Sequence, residues 1–164
     1  MIDPAKPIEP KENESEEAVR GPFNRLDVED GQFVIRQYLP SPTASTPSII
    51  SHYGLYIPKG YLSDIEKHWP IIMFLHGAGE CGDEIDSSLL RQDLPKKLAS
   101  GSHIPFVVIA PHCPRGSGWG DKQISRDVIA ILAEVSKVLR VDMNRVYLRW
   151  GEQEEEERRK KKEE

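Results

Sequence analysis

Ile71-Ile72-Met73-Phe74-Leu75-His76-Gly77-Ala78-Gly79-Glu80 is the stretch from which the fold is read. Its apolar run is too short for a membrane span and lacks alternation. It therefore predicts a strand buried on both faces, as in a parallel sheet. The polar residue and two glycines that follow predict a tight turn. There the missing Cβ atoms of Gly77 and Gly79 would let backbone N–H groups come close to a bound group.

Downstream, Leu89, Leu90, Leu94 and Leu98 recur at helical spacings, with Pro95 starting a new turn or kinking the old one. Phe106-Val107-Val108-Ile109-Ala110-Pro111 predicts a second buried strand. Residues 122–139 predict a helix, because Ile124, Val128, Ile131, Leu132, Val135 and Leu139 repeat every three or four positions, opposite Lys122, Arg126, Glu134 and Lys137. Asp121 is its expected cap. Residues 141–144 form the connector to a third parallel-type strand that starts at Arg145-Val146-Tyr147-Leu148. Upstream, 33–38 and 53–58 predict an antiparallel pair of short strands. The expected fold is thus α/β, an incomplete layered domain whose mostly parallel sheet is flanked by helices, with an antiparallel leading strand pair. A ligand would sit outside the carboxyl ends of the strands, where 76–80, the 112–120 loop and the residues after Leu148 should meet.

The chain has 164 residues and divides by composition into a flexible acidic tail over 1–30, one domain over 31–150 and a charged low-complexity tail over 151–164. A net charge of -5 with no concentrated basic face argues against a nucleic-acid partner. No stretch reaches membrane-spanning length and the start lacks a signal-peptide core, so a cytoplasmic protein with no membrane partner is expected. Only Cys81 and Cys113 are present, too few for a disulfide scaffold and without Cys-x-x-Cys spacing.

A His-Gly-x-Gly turn after a buried strand can aim a backbone N–H at an oxygen gaining charge in acyl transfer, each such donor being worth about 3–4 kcal/mol. His76 reads as a residue fixing that turn rather than as a general base. A phosphate loop is disfavoured, since the turn lacks a Gly-Lys-Ser/Thr and is followed by Glu80, Asp83 and Glu84. Those carboxylates with Asp86 read as a solvated turn, so neither a metal nor a cofactor is expected. His112-Cys113 reads as a packed loop. Trp119 either walls a substrate pocket, with Glu80 on the same rim, or folds back under its own loop.

Taken as a set, Tyr53-Gly54-Leu55-Tyr56-Ile57-Pro58, the 70–80 stretch, Phe106 to Pro114 and Val141 to Leu148 resemble α/β-hydrolases, over about residues 31–148. The nearest group is that of carboxylesterases, predicted peptidases and polyhydroxybutyrate-depolymerase-like enzymes. The resemblance implies that His76, Gly77, Ala78 and Gly79 form the oxyanion loop, with the Ala78 N–H as donor, and that Trp119 lies near the active-site rim. It also implies a Gly-x-Ser-x-Gly elbow straight after the last strand. The chain has Trp150-Gly151-Glu152-Gln153-Glu154 there, so Glu152 takes the nucleophile's position and neither motif glycine is present.

The expectation is therefore a serine-hydrolase relative, acting in its parent family on small ester or peptide substrates, whose nucleophile, acid and base are missing. The change of texture after Leu148 reads as a truncated, misspliced or frameshifted terminus. The alternative is a non-catalytic interaction module that associates through an exposed sheet edge.

Overall fold

A computed structural model describes residues 29–77 and 80–151. Ala78, Gly79, Glu152, the tail after it and nearly all of the 1–30 tail lie outside the described residues, and the expectations placed on them lie there too. The elements in chain order are β1 (Phe33–Gln37), β2 (His52–Tyr56), β3 (Trp69–Leu75), α1 (Ile85–Leu90), α2 (Asp93–Ala99), β4 (Val107–Pro111), α3 (Lys122–Val138) and β5 (Val141–Trp150).

The five strands form one open sheet in the order β1-β2-β4-β3-β5. The antiparallel leading pair is present, with Ile35 opposite Gly54. The sheet as a whole is mixed rather than mostly parallel, because β2 also runs antiparallel to β4, while β3 is parallel to both β4 and β5. This follows from the composition of β2, where Tyr53, Leu55 and Tyr56 are all fully buried. A strand so apolar on both faces belongs inside a sheet, not at its rim.

Alternation along β3 and β4 divides the core into two layers. Ile71, Met73, Leu75, Val107 and Ile109 pack with Ile124, Ile131 and Val135 of α3. Phe74, Val108 and Ala110 turn to the opposite face and pack with Leu89, Leu94 and Leu98 of α1 and α2. Pro95 ends no helix: the chain breaks at Gln92, and Pro95 then falls in the first turn of α2, where its missing N–H leaves no intrahelical bond unmade.

Asp121 occupies the cap position of α3 without capping it by its side chain, since Oδ2 accepts from the Gly118 N–H at 3.0 Å. Asp127, on the buried side of α3, accepts from the N–H groups of Ile49 and Ile50 at 2.7 and 3.1 Å, and so ties the segment before β2 to the helix. In β5 the residues between Val141 and Val146 bulge away from β3, and regular pairing runs from Ile71↔Val146 to Leu75↔Trp150. The Asp142 carboxylate holds that bulge by accepting from Asn144 N–H at 2.9 Å and Arg145 Nε at 2.6 Å. Among the described residues no helix is long and apolar enough to cross a membrane.

Candidate functional site

The carboxyl ends of β3, β4 and β5 lie side by side, which brings His76, the loop after Pro111 and Gly151 to one edge. His76 is buried there and both of its ring nitrogens are engaged. Nε2 accepts from the Cys113 N–H at 3.0 Å, which leaves the proton on Nδ1, and Nδ1 donates to the Gly77 carbonyl at 3.0 Å. Burial pushes the imidazole below its ordinary value, and the Gly77 carbonyl opposes that only in part. A ring held in this way braces the turn and has no nitrogen left for proton transfer to a substrate. The Gly77 carbonyl also accepts from Glu80 N–H at 3.1 Å.

Trp119 reaches the same place from the loop before α3. Its indole N–H donates to the His76 carbonyl at 2.8 Å, and its ring meets the imidazole edge-on with centroids 5.0 Å apart. It is half-buried and packs against the α3-side core. His112, next along, is buried with its Nε2 unpartnered, and burial followed by the nearby His76 and His52 rings lowers its pKa.

Gly151 closes the edge from the other side. Its N–H donates to Leu75 O at 2.6 Å, and a Cβ at this position would lie 3.1 Å from Gly77 N and 3.2 Å from His76 Cα. The glycine is therefore what lets the end of β5 touch the turn after β3. The side-chain oxygen of Gln92, from the break between α1 and α2, crowds the same point.

Two clefts open beside this contact. One, of about 310 Å³, lies between the end of β5 and α2, with Arg91, Gln92, Lys96, Arg149 and Trp150 among its walls. The other, of about 280 Å³, is bordered by Cys81, Asp83, Ser87 and Arg115, the last two charges forming an exposed ion pair at 2.9 Å. Glu80 borders both clefts and Trp119 borders neither. Sequence reasoning missed Gln92, a buried amide whose Nε2 has no partner, because glutamine in a polar break between two short helices has no pattern to mark it.

Among the described residues no three His, Cys, Asp or Glu side chains are placed to hold a metal ion. A serine meets an imidazole at the same strand edge, Ser51 Oγ to His52 Nδ1 at 2.9 Å, but the two are chain neighbours at the start of β2. Among the described hydrogen bonds no carboxylate orients that ring, as a working nucleophile and base would need.

The described chain is thus an α/β domain with a mixed, open five-stranded sheet and three helices, its side-chain chemistry gathered at one strand edge. No protein-family model matches it, and no curated protein does. Among solved structures it is similar to a ferulic acid esterase at 18% identity with a TM-score of 0.49, over 73% of this chain and 49% of that one. The chain therefore spans about half the length of that esterase.

Proposed function

We propose that this chain is built on the plan of a serine hydrolase of carboxylic esters or peptides and is catalytically incompetent as it stands. The observation that supports this is the contact of Gly151 with His76 and Gly77. On an α/β-hydrolase plan one oxyanion donor comes from the loop after the third strand and the other from the residue following the nucleophile. Gly151 immediately precedes the nucleophile's position in the sequence, and its contact with Gly77 brings the two chain segments that such a plan joins to one point. In the sequence, Glu152 then occupies the serine's place in the motif. A glutamate at that sequence position replaces the nucleophilic hydroxyl with a carboxylate, whose charge would oppose an oxyanion in the making. A fluorophosphonate probe and a short-chain aryl ester are expected to give no labelling and no turnover. Stoichiometric labelling of any serine would overturn the proposal.

A second reading, self-association through the outer edge of the sheet, is favoured by β5. It is an edge strand on which Tyr147, Leu148 and Trp150 are 52%, 57% and 54% exposed. An unpaired strand edge with large apolar side chains is a template for pairing with a second copy. Light scattering should show a dimer that Leu148→Lys dissociates. A monomer throughout the accessible concentration range would exclude this reading.

A further inference from the structure

Among the described residues β5 is paired on one side only, and the regular part of that strand has a pattern that suits its own copy. Gly151 donates its N–H to Leu75 O, so the odd-numbered residues of this part turn their backbone groups to β3. The N–H and C=O groups of Val146, Leu148 and Trp150 are thereby left on the open edge. Their side chains share one face with Ile71, Met73 and Leu75, beside which they stand in the sheet and which belong to the α3-side core. Tyr147 and Arg149 take the other face. There Tyr147 meets the Phe106 ring edge-on at 6.0 Å, and Arg149 stands 3.9 Å from the Asp93 carboxylate of α2.

We infer that two copies of this chain join their β5 edges antiparallel about a two-fold axis at Leu148, so that one sheet runs through both. In this register Leu148 faces the partner's Leu148, and Val146 faces the partner's Trp150. The backbone groups on the two open edges then close in reciprocal pairs, and the α3 face gains an unbroken apolar row. On the other face Tyr147 lies opposite the partner's Arg149, an aromatic ring beside a guanidinium. Moving the axis by one residue spoils the match. Centred on Arg149, it sets two guanidinium groups directly against each other. Centred on Tyr147, it opposes Arg149 to the partner's Arg145, again with like charges in contact. Centred on Val146, it lays the regular strand against the bulge between Val141 and Val146. Charge and strand regularity therefore select the axis at Leu148. The inference rests on the self-association reading of this edge and adds to it the partner's orientation and register.

The test is cysteine trapping in the full chain, with light scattering of each variant and of the unaltered chain alongside. Across the axis the two Leu148 Cα atoms would lie about 5.5 Å apart, within disulfide reach, whereas Tyr147 and Arg149 would each stand about 7–8 Å from their own copies. Under oxidised glutathione, Leu148→Cys is expected to form a linked dimer, read after trypsin as peptide 146–149 joined to its own copy. Tyr147→Cys and Arg149→Cys are each expected to stay unlinked at the new cysteine when alone and to link to one another when mixed. In a chain that light scattering shows to be dimeric, self-linkage of Tyr147→Cys or of Arg149→Cys would overturn the register and leave self-association standing. So would the absence of linkage in Leu148→Cys. A monomer at every accessible concentration would overturn both.

Discussion

Gly151 carries more of the site than its place in the sequence suggests. Read along the chain, it is a break between an apolar strand and a run of charge. In the fold it is the point where two strand ends come too close for a side chain. Gly151→Ala sets a methyl against the Gly77 amide, which belongs to backbone, and against the Gln92 side chain, which is able to turn away. The expected loss is about 1–3 kcal/mol, read from urea denaturation. An unchanged midpoint would mean that the 76–77 turn yields. Gly54 shows the same logic in the sheet, because the Phe33 ring lies over it where a Cβ would stand. Such needs are set by a neighbour distant in sequence, so the glycines were visible in the sequence and their reasons were not.

At the scale of elements, α3 and β3 were the most legible, since each writes its environment as a local pattern: a three-to-four repeat for a helix covering one face of the sheet, and an unbroken apolar run for a strand covered on both. What those patterns leave out is partnership. Position in sequence places β2 beside β1 and says nothing of β4, whose pairing with it makes the sheet mixed. Asp127 is a similar case. An aspartate on a helix reads as surface, yet this one is buried and holds the Ile49 and Ile50 amides across more than seventy residues of chain. Asp127→Ala removes the acceptor for two backbone donors, one of them buried, and is expected to lower stability by about 1–3 kcal/mol. Thermal melting with a probe near Ile50 should show that segment loosening first, and a variant with an unaltered melt would refute the tie.

For the whole molecule, His76 and His112 give stability a definite dependence on pH. Burial lowers both imidazoles, so below the ordinary value of 6.5 the unfolded chain binds protons that the folded chain resists. The stability they permit is complete above about pH 6.5 and is lost progressively as pH falls from there towards the depressed values of the folded state. Urea midpoints measured from about pH 8 to about pH 5 should decline, and His112→Gln should flatten the slope. A midpoint that rises on acidification would contradict the burial of both rings. The thiol of Cys113 acts in the other direction. Its raised pKa means that its contribution holds below 9.0 and fades as the unfolded chain ionises above it.

The strand order also governs how the protein is made. β2 lies between β1 and β4, so its second neighbour does not exist until Pro111 has been synthesised. A β1–β2 pair formed before then would have one backbone edge open. In the finished sheet β4 fills the place between β2 and β3, and β5 lies on the far side of β3. The middle of the sheet is thus filled by the fourth strand in chain order, and the segment from β3 to β4 is the part of the nascent chain whose delay would leave β2 without its second neighbour.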